Sequence, residues 1–123
     1  MSASSNRRGW GALEAEIMAA LAASDTALGA GELREILDPP PAYTTVLTAL
    51  SRLHDKGAVT RDRSGRGHVY SFQRDEAALR AVQMRRLLEG GKDKARVLAR
   101  FVDELSPEHE RLLQRLLSDL DGP

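Results

Sequence analysis

The sequence predicts an α+β fold, mainly α-helical with one small β-hairpin. Three observations carry that prediction. Hydrophobic residues make up 41% of the 123 residues but aromatics only 4%, so the core must be aliphatic and drawn from helix formers such as Leu and Ala. Apolar residues recur at helical spacing from Trp10 to Leu53 and again from Leu79 to Leu120. Between these runs, residues 58–72 switch to short strand-like segments interrupted by Ser64-Gly65-Arg66-Gly67.

Residues 1–9 have no periodicity and are expected to form a flexible tail. A first helix begins at Trp10, aligns Leu13, Ile17, Met18 and Leu21, and ends near Ala23, before Ser24-Asp25-Thr26. A second, over 30–37, is expected to bury Leu33, Ile36 and Leu37. It cannot pass Pro39-Pro40-Pro41, because proline lacks an N–H and restricts the residue before it. The third helix opens at Ala42 or Tyr43 and stops at Gly57, a residue suited to a left-handed cap, with Lys56 at the negative helix end. Val46, Leu50 and Leu53 form its inner stripe, and Thr44, Thr45, Thr48 and Arg52 lie off that stripe. Strands are expected over 58–63 and 68–72, and two strands alone are marginal in water, so the hairpin must lie against the helices. Three helices followed by a hairpin is winged helix-turn-helix order, assigned to residues 10–74.

Residues 75–123 read as a separate helical region. Leu79, Val82, Met84, Leu87 and Leu88 describe one helix, closed by Gly90-Gly91, and Val97, Leu98, Phe101, Val102 and Leu105 describe the next. Ser106-Pro107-Glu108 is a helix start: a serine N-cap, a proline in the first turn, a glutamate near the positive end. Short amphipathic helices with no compact core of their own need a partner surface. Dimerisation is the expectation, through Leu87, Leu98, Phe101, Val102, Leu112, Leu113, Leu116 and Leu117. Packing onto the chain's own N-terminal part is the alternative.

The net charge is zero, with 18 basic and 18 acidic residues, but it is unevenly spread. Residues 1–39 carry a net −3 and residues 75–123 a net −1. Residues 40–74 hold Arg52, Lys56, Arg61, Arg63, Arg66 and Arg74 against Asp55 and Asp62, a net +4. Positive charge is therefore concentrated on the third helix and the hairpin, and local potential governs association with a polyanion. Threonines on the helix suit a major groove, where hydroxyls meet phosphates or base edges and methyls meet thymine methyls. Half-buried packing or bonding to backbone carbonyls is the other common fate of a helical threonine. Arg63 and Arg66 flank the hairpin tip, from which they reach phosphate or minor groove. Tyr43 fits either core or phosphate contact.

Other functions find little support. There is no cysteine, which excludes disulfides, thiolate metal sites and cysteine nucleophiles. His54, His68 and His109 are scattered without ligand spacing, so neither catalysis, a metal nor a cofactor is expected. No apolar run approaches the roughly 20 residues of a membrane span, and the basic start has no apolar segment after it, so a cytoplasmic protein without membrane insertion is expected.

Several segments together resemble the penicillinase and methicillin-resistance repressors (BlaI/MecI). They are Leu13-Glu14-Ala15-Glu16-Ile17-Met18, Ala42-Tyr43-Thr44-Thr45-Val46, and Arg52-Leu53-His54-Asp55-Lys56-Gly57. The Tyr70 strand, Gly90-Gly91, Leu98-Ala99-Arg100-Phe101-Val102 and Leu105-Ser106-Pro107 extend the likeness from about Gly9 to Leu120. The resemblance implies a homodimeric winged-helix repressor on a pseudo-palindromic operator, controlling antibiotic-response genes such as β-lactamases. It implies DNA contacts at Thr44, Thr45, Thr48 and Arg52 on the recognition helix and at Arg63 and Arg66 on the wing. In antibiotic-responsive members a membrane sensor protease triggers cleavage at an Asn–Phe bond. The matching bond here is Arg100–Phe101, which keeps the phenylalanine but not the asparagine. Related copper-responsive repressors carry C-terminal cysteine pairs, which this chain lacks. Two other readings stay open: a ligand-sensing winged-helix regulator, and a winged-helix protein-interaction module that never meets DNA.

Overall fold

The structure, a computed structural model, describes residues 8–122. The expected tail over 1–7 lies outside the described residues. Arg8, expected within it, is anchored: its Nε donates to Glu16 Oε2 at 2.6 Å. In chain order the elements are α1 (Trp10–Ala23), β1 (Leu28–Gly29), α2 (Ala30–Ile36), α3 (Tyr43–Asp55), β2 (Val59–Ser64), β3 (Gly67–Phe72), α4 (Glu76–Glu89), α5 (Lys94–Glu104) and α6 (Pro107–Asp121). The chain divides into two compact units, the first ending at Met84 and the second beginning at Arg85, so α4 starts in one and ends in the other. The domain boundary expected at 74/75 falls just before α4, and the division between the compact units falls within that helix.

In the first unit, Leu13, Ile17 and Leu21 repeat every fourth residue along α1 and are all buried. They meet Leu33 of α2 and Val46, Ala49, Leu50 and Leu53 of α3 in one cluster, which Leu28, Val59 and Tyr70 of the sheet complete. Each leucine, isoleucine or valine among them contributes about 1.5–3 kcal/mol when fully withdrawn from water. Ile36 departs from expectation: it is 56% exposed, while Ala30, Leu33 and Leu37 are buried. Those three lie at i, i+3 and i+7 on one face, and Ile36 is rotated about 100° from Leu37, beyond the edge of that face.

The sheet is three-stranded and antiparallel in the order β1-β3-β2. The third strand is β1, which pairs Leu28 with Tyr70 and Gly29 with Val69. Next to it, the Gly29 N–H donates to Glu32 Oε1 at 2.9 Å, so a first-turn carboxylate starts α2. The hairpin strands each begin or end one residue away from expectation, at Val59–Ser64 and Gly67–Phe72, with Ser64 opposite Gly67. The loop is therefore two residues, Gly65-Arg66. Gly65 has φ +60° and no non-glycine described residue has positive φ, which matches a type II′ turn with glycine first.

Helix α3 ends in a Schellman motif. The Ala58 N–H donates to Leu53 O at 2.9 Å and the Gly57 N–H to His54 O at 3.0 Å, with Gly57 at φ +80°. This closes the helix and turns the chain directly into β2.

The second unit has well-formed helices and no interior. Asp93 caps α5 by accepting the Arg96 N–H at 3.0 Å, and Ser106 caps α6 by accepting the His109 N–H at 3.1 Å. None of its described residues is buried.

Candidate nucleic-acid interface

The prolines before α3 fix where it starts, and the buried stripe Val46, Leu50, Leu53 fixes which side faces out. Thr44, Thr48 and Arg52 follow at one-turn intervals along the exposed side. Thr45 is half-buried at the margin. Tyr43 is 52% exposed, so it is not a core residue. The Thr48 hydroxyl donates to the Thr44 carbonyl at 3.0 Å, the backbone bond that helical threonines often make. Leu47, 37% exposed on this side, was not anticipated. It falls one turn beyond Tyr43, and that spacing is the signal that could have found it.

Strand alternation sorts the wing. Val59, Arg61 and Arg63 share one face of β2, opposite Phe72, Tyr70 and His68 of β3. At the base of this face Val59 and Tyr70 enter the core. Beyond the core the same face carries Arg61 and Arg63, and Arg66 sits in the turn. Asp62 points to the other face, opposite Val69. Arg61 joins Arg63 through the two-residue period, although it was not among the expected DNA contacts.

The six cations of residues 40–74 divide by what they touch. Lys56 Nζ donates to Glu14 Oε1 at 2.7 Å. Arg74 lies over the Phe72 ring at 5.4 Å, with a nitrogen 3.5 Å from Ala22 O. The Arg52 guanidinium lies over the Trp10 ring at 4.5 Å. Arg61, Arg63 and Arg66 are exposed and, among the described residues, make no ion pair. The structure thus couples Thr44 with Thr48 and places Arg61 beside Arg63. It joins Arg52 to a residue that was not among the expected contacts.

The expected dimer residues all lie in the second unit. Leu98, Phe101 and Val102 of α5 and Leu112, Leu116 and Leu117 of α6 are 43–53% exposed, Leu113 is half-buried, and Leu87 of α4 is 79% exposed. Arg100 and Phe101 lie inside α5, so the bond between them is helical. Among the described residues no helix is long and apolar enough to cross a membrane, and no group of three or more His, Asp or Glu is placed to hold a metal.

A helix-turn-helix of α2 and α3, backed by α1 and followed by an antiparallel wing, defines a winged-helix protein. The chain belongs to the penicillinase repressor family, whose sequence model matches residues 10–119. Family and fold together make it a transcriptional regulator. Among solved structures, a mutant of Lactococcus lactis ZitR matches with a TM-score of 0.44 and 17% identity, covering 89% of this chain and 71% of that one. The crystal structure of Lactococcus lactis ZitR, a zinc-responsive MarR family member, matches with a TM-score of 0.42 and 18% identity, covering 98% and 80%. No curated protein sequence matches the chain significantly.

Proposed function

We propose that the protein is a DNA-binding repressor, acting in the cytoplasm as a homodimer on a pseudo-palindromic operator. The observation that carries this reading is the outward stripe Thr44, Thr48 and Arg52 on the helix that follows the turn, with three exposed, unpaired arginines on the wing that follows it. In helix-turn-helix proteins the second helix enters the major groove, and a dimer reads two half-sites roughly 34 Å apart. Arg61, Arg63 and Arg66 neutralise phosphates, which supplies affinity without sequence information. Thr44 and Thr48, toward the N-terminal part of α3, supply discrimination. Because the Thr48 hydroxyl proton is given to Thr44 O, its oxygen is left to accept from an adenine or cytosine amino group.

The homodimer rests on the second unit. A leucine left in water forgoes about 1.5–3 kcal/mol relative to burial, and α5 and α6 expose a whole stripe of apolar residues. A second copy covers like with like and sets two recognition helices on one operator. Occupancy then blocks RNA polymerase. The family supports antibiotic-response genes as the regulated set. Induction by a sensor protease cutting Arg100–Phe101 requires α5 to open locally, since a protease needs extended backbone.

The test is retardation of an operator selected from random DNA, measured over a series of salt concentrations. Arg66→Ala is expected to weaken binding to all sequences and lower the salt slope by about 1. Thr48→Ala is expected to change preference at one or two base pairs. If neither variant alters binding, the DNA face is misassigned. Absence of any salt-dependent DNA retention would favour a protein-interaction module.

A further inference from the structure

We propose that Trp10, in the first turn of α1, is a positioning residue for DNA contact: its indole holds Arg52 in place for a backbone phosphate. The inference rests on α3 being the DNA-facing helix. Trp10 is the chain's single tryptophan and is 42% exposed, outside the buried core. Its ring lies 4.5 Å from the Arg52 guanidinium carbon. A guanidinium over an aromatic face is held by the ring quadrupole, and it offers its N–H donors within its own plane, away from the ring. In the parallel stacking that arginine favours on aromatic faces, the contact occupies the face of the group and leaves its hydrogen-bonding edges open. Among the described residues the Arg52 side chain makes no ion pair that would occupy those edges.

A second contact keeps this stack in register. Glu14 lies one turn beyond Trp10 on α1, and Lys56 one turn beyond Arg52; the two are joined at 2.7 Å. Two rungs, Trp10–Arg52 and Glu14–Lys56, thus clamp α1 to the C-terminal end of α3. Beneath them Leu13 and Ile17 share the core with Leu50 and Leu53. The α1 backbone at Trp10 is therefore set by buried packing, and the indole passes that rigidity to a long side chain that would otherwise sample many rotamers.

The target follows from position. In recognition helices the N-terminal residues meet base edges, whereas Arg52 is near the end of a helix that closes at Asp55. A phosphate is the anion within reach there, and a planar guanidinium matches it with two parallel hydrogen bonds.

The experiment measures operator affinity against salt for Trp10→Leu, Trp10→Phe, Arg52→Ala and the Trp10→Leu/Arg52→Ala double variant, each confirmed folded by circular dichroism. Arg52→Ala should weaken binding to all sequences and lower the salt slope by about 1. Trp10→Leu keeps an apolar side chain but loses the π face; it should weaken binding about two- to fivefold, with the slope unchanged because the charge remains. Trp10→Phe should retain most of the affinity, and Trp10→Leu should cost nothing further once Arg52 is alanine. Additive losses, or a Phe variant as weak as the Leu variant, overturn the inference. It also falls if Arg52→Ala leaves affinity unchanged. In that case Arg66→Ala and Thr48→Ala tell whether the DNA-binding reading falls with it.

Discussion

Gly57 shows how one residue joins two demands. Its φ of +80° disfavours any side chain, and an added Cβ would lie 2.8 Å from Val82 Cβ. Gly57→Ala should destabilise the protein by about 2–4 kcal/mol, from the left-handed backbone and the overpacking together. Urea unfolding measures it, and adding Val82→Ala should recover only the part of the packing cost that the two Val82 methyls impose, because alanine keeps the Cβ at 2.8 Å. The left-handed cap was legible in the sequence, because a glycine after a basic residue at the end of an apolar-periodic run is a local signal. The approach of Val82 was not, since it comes from a helix that starts at Glu76. Arg52 teaches the same lesson at the surface. Its helical position could be read, but the ring it meets lies far back along the chain.

Elements form here where local chemistry agrees with the apolar period. The start of α6 at Ser106-Pro107 was legible because cap, proline and acidic first turn fall within a few residues, and the Ser106 hydroxyl does accept the His109 N–H. Ser106→Ala should cost α6 about 0.5–2 kcal/mol. The checks are a loss of helical circular dichroism and, because α6 carries Leu112, Leu116 and Leu117, a weaker dimer in sedimentation. The short strand β1 was not legible. Two residues have no period, and Leu28 becomes a strand residue only by pairing with Tyr70. Within the wing, alternation put Val59 and Arg61 on one face from sequence alone, and the pairing extends that face to Arg63.

For the whole molecule, the two units differ in how they handle apolar surface. The first buries Leu13, Ile17, Leu50 and their neighbours; among the described residues of the second, nothing is buried. That contrast was partly legible, because leucine-rich stripes on short helices announce a need for cover. Leu116, 53% exposed in the middle of α6, is the place to test it. Leu116→Asp should convert the proposed dimer to monomer in sedimentation equilibrium and reduce operator affinity, while far-UV circular dichroism keeps the signal of the folded first unit. A variant that stays dimeric would move the interface elsewhere.

By itself the sequence determined the helices, the left-handed cap, the hairpin and the concentration of positive charge on residues 40–74. Propensity, capping and turn chemistry act over a few residues, so they can be read without the fold. The tertiary structure decided which of those charges remain available. Lys56 is spent on Glu14, Arg74 lies over Phe72, Arg52 rests on Trp10, and Arg61, Arg63 and Arg66 are left exposed. Each of those assignments depends on distance in space, and only packing around a shared core sets that.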